Sequence, residues 1–454
     1  MTTEDILALV PDYQGFYTVE EMDAKVRALC EAYPETIRGA VIGHSRKEFP
    51  IRSMTIGSGP KNALCFACPH PNEPIGMMTL LTLAEILGSH PAYTEETGFT
   101  WTLIPCVDPD GTRLNEGWFK GPFSILNYAR DFYRPPGEAQ VEWTFPIELP
   151  GYRFDQPLPE TTALTALIDR LKPDFMFSLH NSAFGGAYWY VERADEALCR
   201  ALQGAAARQG IPLHLGEPEA SYVPKWADAV FGSLTLTDMI EDIRARGGEL
   251  PASGSCGGTS ADYLRRVSGG QMMLAELPYF FDARIGDQSE SGMSRGDALR
   301  EGVRISRENY GILERYWDRV HPLFSPENPF FAFVDLCIAY HEADMEGKLA
   351  LAASPEGERP ALVSEVFDDL YCLRLPECLN LGLAARSCRY ELARPERKSA
   401  AELACLKECE KSFDRELERL CAWLEENTDV EVISIRRLVS VQLESALVVT
   451  RALR

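Results

Sequence analysis

The sequence predicts an α/β fold, a mostly parallel sheet flanked by helices, followed by a mostly helical C-terminal region. Three observations carry this. The chain has 454 residues, 45% hydrophobic and 25% charged, the balance of a packed globular protein. Up to about residue 325, apolar segments of strand length alternate with periodic segments of helix length, an interleaving that implies crossover connections within one sheet. Beyond that point long periodic segments take over, so the chain divides into 1–325 and 326–454.

Taken in order, helical spacing of apolar residues marks Thr18–Ala32, and short apolar runs mark strands at Ile51–Ile56 and Leu64–Cys68. A helix opened by Pro74 and Gly76 runs over Gly76–Leu87, and a strand follows at Trp101–Cys106. Helix Glu160–Leu171 precedes strands Phe175–Leu179 and Ala187–Val191, then come helix Asp195–Gln209, strand Met272–Leu277 and helix Gly296–Arg319. The last region is read as helical from segments such as Ala400–Glu426 and Val432–Leu453.

Sixty-eight acidic against 45 basic side chains leave a charge of −23, which disfavours nucleic acid and anionic membrane surfaces as partners. The N-terminus has no basic stretch followed by an apolar core, and no apolar run approaches the roughly 18 residues of a spanning helix. A cytoplasmic location is expected. Thirteen cysteines, an odd number scattered from Cys30 to Cys421, fit free thiols in a reducing compartment. Cys65 and Cys68 have C-x-x-C spacing, but they sit in an apolar strand whose alternation sends them to opposite faces, as core thiols. The seven cysteines from Cys337 to Cys421 match no zinc module and are read as buried thiols.

Chemistry concentrates where strands end. Pro69-His70-Pro71-Asn72-Glu73-Pro74 follows directly on the strand ending at Cys68. His70 and Glu73 are three apart, and zinc accepts imidazole nitrogen and carboxylate oxygen, taking three protein ligands in a catalytic site. A second apolar strand, Phe175-Met-Phe-Ser-Leu-His180, ends in another imidazole, at the strand end where open α/β sheets build their sites. Glu276 interrupts the apolar strand Leu274-Ala-Glu-Leu277, where a carboxylate must be paired, protonated or used.

This order of motifs, H-x-x-E, a strand-end His about a hundred residues on and a strand Glu about a hundred further, resembles the zinc carboxypeptidases of the carboxypeptidase A type. The resemblance runs from Tyr17 to Glu276. Tyr17-Thr-Val-Glu-Glu21, Tyr33-Pro34, Ile42-Gly-His-Ser45 and Ile51–Gly57 are similar to that family's opening segment. Val107-Asp-Pro-Asp-Gly111 resembles its Asn-Pro-Asp-Gly turn, with Asp108 for Asn. Gly257-Gly258-Thr259 and Asp262 resemble the Gly-Gly-Ser-x-Asp segment before the catalytic Glu, with one extra residue.

The resemblance implies a mixed sheet and one zinc ion per chain held by His70, Glu73 and His180, with Glu276 as general base and acid in amide hydrolysis. It implies Arg113 as the oxyanion donor and Arg130 as the clamp on a substrate's terminal carboxylate, although Ala129 replaces the family's Asn. Arg134, one helical turn on, shares that work. The floor of the side-chain pocket falls on Ala261, or Ser260, neither charged, so a small or apolar C-terminal residue is expected. The family's mobile Tyr has no counterpart in Gly247–Cys256, whose glycines predict a flexible flap over the site.

The expected substrate is a peptide that loses its C-terminal residue. An N-acyl amino acid, as for deacylases of the aspartoacylase or succinylglutamate desuccinylase kind, is the alternative within the same chemistry, since these share H-x-x-E and the distant His. A non-catalytic carboxylate-binding or scaffold protein is the reading outside it, with oligomerisation through the C-terminal region.

Overall fold

The structure, a computed structural model, describes residues 1–216, 219–220 and 222–454. Strands β1 (Ile37–His44), β2 (Pro50–Ile56), β3 (Lys61–Ala67), β4 (Phe99–Ile104) and β5 (Phe175–His180) are joined by β6 (Tyr188–Val191), β7 (Lys225–Ala227), β8 (Val230–Phe231) and β9 (Gln271–Glu276). Among the described residues they form one mixed nine-stranded sheet in the order β1-β2-β4-β3-β5-β9-β6-β8-β7. Strands β4, β3, β5 and β9 run parallel at its centre, and antiparallel strands flank them on both sides. The parallel centre is what the interleaved pattern implied. Edge strand β1 carried no comparable signal because its residues are largely exposed.

Alternate side chains of the central strands enter two cores. On one face Cys65, Phe177, Leu179, Trp189 and Ala275 meet helices α1 (Val19–Ala32), α2 (Ile75–Ser89) and α5 (Glu196–Arg208). On the other, Phe66, Met176 and Met272 meet α4 (Pro159–Leu171) and α6 (Ser260–Val267). Helix α1 begins with a capping box between Thr18 and Glu21 and buries Val19, Met22, Val26 and Leu29 on one stripe. Helix α2 is apolar nearly all round, as befits a helix packed on several sides. Between α2 and α4 lies the short α3 (Ile125–Asp131).

After β9 the chain forms the long helices α7 (Arg295–Val320), which lies before residue 325, and α8 (Ala332–Ala352), α9 (Arg374–Leu392), α10 (Ala400–Asn427) and α11 (Ile435–Ala452) beyond it. Packing does not follow chain order. The chain leaves the sheet after β9 through Phe280–Phe281 and returns at Glu431–Val432, and these two segments pair antiparallel with Phe280 opposite Val432. Helices α7 to α10 are therefore an excursion inserted at the carboxyl ends of the strands, whereas α11 packs on α2 and α5 with Leu438, Val441 and Leu443 buried. No described helix is long and apolar enough to cross a membrane.

The insert is fastened to the sheet domain where α9 crosses α3. Arg386 donates from Nη1 to the carbonyls of Asp131 (2.7 Å) and Phe132 (2.8 Å) and from Nη2 to that of Leu114 (2.8 Å). Gly382 lets the backbones touch, for a Cβ there would lie 1.9 Å from the Ala129 carbonyl oxygen. Gly382→Ala is expected to force the helices apart and lower stability by about 1–3 kcal/mol, read from urea denaturation midpoints.

Glu377 on α9 is buried, accepts one hydrogen bond from Asn309 (2.5 Å) and leaves its Oε1 without a partner. Burial pushes its carboxyl from the ordinary 4.5 up to about 7, with the Asn309 bond opposing. The folded chain thus keeps a proton that the unfolded chain releases near 4.5, so stability falls as pH rises from 4.5 to about 7. Glu377→Gln is expected to be more stable than wild type at pH 8, by about 3 kcal/mol at most, and equally stable near pH 4.5. Denaturation of both proteins at the two pH values checks this.

Candidate metal centre

Strand β3 ends at Ala67, and Cys68 has a left-handed backbone (φ 56°), rare for a residue with a Cβ. This turns the chain out of the strand and also breaks the alternation, so the Cys68 thiol enters the same core as Cys65 and not the opposite one. The Glu73 amide donates to the His70 carbonyl (3.1 Å), closing a turn that brings both side chains together just before α2. Strand β5 lies between β3 and β9, parallel to both, and its last residue His180 is in register with Glu276. Asn181 ties the strand ends, accepting from the Ile75 amide (3.3 Å) and donating to the Leu277 carbonyl (3.1 Å).

His70, Glu73 and His180 are buried, and one donor atom from each lies within 4.8 Å of the others. His70 Nδ1, His180 Nδ1 and Glu73 Oε2 are all inaccessible and without a hydrogen-bond partner. His180 Nδ1 and Glu73 Oε2 approach to 3.0 Å yet lack the alignment of a hydrogen bond, as expected of ligand atoms aimed at a common point. Two imidazole nitrogens and one carboxylate oxygen, buried and otherwise unsatisfied, fit a metal ion. Burial, then the positive charge of Arg134 and the neighbouring His180, hold His70 well below the ordinary imidazole value, with a Gln140 hydrogen bond opposing. His70 is therefore neutral, the form that binds metal.

The outer atoms are also held. His180 Nε2 meets the Ser178 hydroxyl (2.7 Å), which lies 3.5 Å from Glu142, and Glu142 in turn accepts from the Ser260 amide (2.8 Å) and hydroxyl (2.7 Å). This chain leaves His180 Nδ1 free for the metal. From the opposite face, Gln442 on α11 donates to the His180 carbonyl (2.9 Å) and accepts from Thr79 (2.8 Å). Arg134 Nη1 donates to Glu73 Oε1 (3.1 Å), leaving Oε2 for the ion.

Glu276 Oε1 lies 3.7 Å from His180 Nδ1. Burial, followed by the nearby carboxylates of Glu73 and Glu219, pushes Glu276 well above the carboxylate range, with Arg134 opposing. Beside it opens a cavity of about 330 Å³. One wall comes from the strand ends and the loops beside them, with Asn72, Glu73, Arg134, Asn181, Glu219 and Glu276, and the other from the insert, with Tyr310, Phe333, Cys337, Pro376, Leu379 and Asn380.

No family model matches the chain. Among solved structures it is similar to carboxypeptidase A from Helicoverpa armigera, with a TM-score of 0.39 and 14% identity over 61% of this chain and 70% of that one. It is also similar to bovine thrombin-activatable fibrinolysis inhibitor in complex with tick carboxypeptidase inhibitor (0.37, 14%, 58% and 86%). Metallo-carboxypeptidase from Burkholderia cenocepacia gives 0.34 and 16% over 58% of this chain and 60% of its own. Likeness at this distance carries no argument about what the site does.

Of the residues singled out in the sequence, the structure brings together His70, Glu73, His180, Glu276 and Arg134. It places Arg113 and Arg130 elsewhere. The Asp108-Pro-Asp-Gly111 turn forms a short helix start that packs on Pro71, for a Cβ on Gly111 would lie 2.7 Å from that of Pro71. The turn thus supports the metal loop, while Arg113 stacks 4.4 Å over the Phe49 ring and pairs with Glu20. Arg130 is turned toward α10, where it pairs with Glu418. Ala261 is buried on the same sheet face as the His180 ring, packed with Leu164 and Met176 beneath α4 and α6, and does not line the cavity.

The segment expected as a flap does not line the cavity: Ser253 accepts from the Arg153 amide (2.9 Å) and the Cys256 amide donates to Tyr152 (3.1 Å). The insert takes the covering position. Among the described residues no second group of metal-ligating side chains forms from the remaining histidines and cysteines. Glu142, Ser178, Glu219, Gln442 and the insert residues were missed. Ser178, two residues before a strand-end His and on its face, was open to recognition; the others have no local signal.

Proposed function

We propose that this chain is a zinc-dependent hydrolase of amide bonds that removes C-terminal residues from small peptides. The observation that carries this is the convergence of three orphaned, buried donor atoms of His70, Glu73 and His180 beside the Glu276 carboxylate. Zinc bound there supplies Lewis acidity, polarising the amide carbonyl and making water acidic near neutral pH. Glu276 takes a proton from the attacking water and passes it to the leaving amine, so that amide and water become carboxylate and amine. Its burial beside other carboxylates, which raises its proton affinity, suits a group that must both accept and return a proton.

Arg134 is the guanidinium lining the cavity, and it takes the carboxylate-binding role that the family resemblance assigned to Arg130. An N-acyl amino acid deacylase is the second reading. The covered cavity of about 330 Å³ favours a small substrate of either kind. Protein purified without added metal is expected to carry zinc and to lose activity with a chelator. Assays of short peptides with free and amidated C-termini, run beside N-acyl amino acids, separate the two readings. Turnover of the acyl amino acids alone overturns the peptidase.

A further inference from the structure

The row of side chains that begins at the metal ligands continues past Glu276. In register, His180 stands beside Glu276 and Glu276 beside Tyr188, and two residues along, Leu274 stands beside Tyr190. Opposed residues and residues two apart project to one face, so both tyrosines share the face of the site. The Tyr188 hydroxyl donates to Glu219 Oε1 (2.7 Å) and the Tyr190 hydroxyl to Oε2 (3.1 Å). Two neutral phenols thus hold a carboxylate in place, and among the described residues no Lys or Arg pairs with it.

Glu219 lines the catalytic cavity and also a second one of about 340 Å³, and the two share Ser182, Ala183, Pro376 and Leu379. The carboxylate therefore stands where the cavities join. Each of its oxygens has lone-pair capacity beyond one phenol donor, so an incoming cation finds acceptors already positioned. The charges are ordered along the row: Arg134 on Glu73 at one end, the metal ligands and Glu276 between, and Glu219, which has no cationic partner among the described residues, at the other. A ligand that complements this order is anionic at one end and cationic at the other, with its amide in the middle.

We propose that Glu219 receives the α-ammonium group of the residue on the acyl side of the scissile amide, so that the preferred substrates are dipeptides with a free N-terminus. The inference rests on the hydrolase reading above and narrows its substrate. Ammonium binds at Glu219, and the terminal carboxylate binds at Arg134 across the metal ligands.

The test compares small apolar dipeptides with their N-acetylated counterparts in zinc-loaded protein. Free dipeptides are expected to have the higher kcat/KM by about 10- to 100-fold, the range for a hydrogen bond to a charged group. Glu219→Gln is expected to shrink that ratio toward one, mainly through KM, and Tyr190→Phe to shrink it partly. Thermal melts of each variant confirm folding. Calorimetric titration of the same dipeptides into the zinc-loaded Glu276→Gln variant, with and without Glu219→Gln, reads binding apart from turnover, and the free dipeptide should lose the same factor. Equal use of acetylated and free dipeptides by the wild type, or a ratio unchanged in Glu219→Gln, overturns the inference while leaving the hydrolase intact. Absence of turnover on every amide overturns the hydrolase, and the calorimetric comparison then still decides whether Glu219 reads the ammonium.

Discussion

Glu276→Gln is expected to lower kcat by about 10²- to 10⁴-fold, the usual worth of a positioned general acid–base, with zinc content unchanged. The side chain keeps its volume and its place at the end of β9 beside His180, so packing is preserved. What is lost is the carboxylate that the proposed mechanism uses to accept the proton of water. Because Glu276 is not among the three convergent ligands, metal and activity should separate. Steady-state kinetics and elemental analysis on one preparation give the answer. Retained turnover would remove Glu276 from the mechanism, and loss of zinc together with turnover would make it a ligand.

His180→Ala should act through the metal itself. Removing one of three donors from a buried site is expected to weaken zinc binding by more than about 100-fold, beyond the 10- to 100-fold typical of an outer-layer contact. Ser178→Ala, which removes only the hydroxyl at Nε2, is the matched comparison and should fall in that lower range. Competition against a chromogenic chelator measures both. The Gln442 bond to the His180 carbonyl survives either change, so folding of the strand end is not at issue. Equal zinc affinity in the two variants would mean that His180 is not a ligand.

The candidate metal ligands were legible because each belongs to a local pattern. H-x-x-E between an apolar strand and a Pro-opened helix is a segment whose geometry is set within a few residues, and His180 and Glu276 end or interrupt apolar strands. The arginines were not legible in this way. Arg113, Arg130 and Arg134 lie within one stretch of 22 residues, and nothing local tells which guanidinium turns inward. The choice was made by partners far along the chain: Glu418 holds Arg130 outward, and Glu73 draws Arg134 in.

By itself, then, the sequence pointed to the parallel centre of the sheet, the strand ends that carry the candidate site and a donor set that could hold a metal. These leave a local trace in the apolar periodicity of each strand and helix and in the residue types at the strand ends. Only the tertiary structure decided what surrounds that donor set. The pairing of Phe280–Phe281 with Glu431–Val432 makes helices α7 to α10 an insert that walls the cavity with Tyr310 and Asn380. Packing of α11 brings Gln442 to the His180 carbonyl across 262 residues, and the register of β9 with β6 sets Tyr188, with Glu219 on its hydroxyl, beside Glu276. Such contacts arise from packing and register between distant segments, and no spacing along the chain records them.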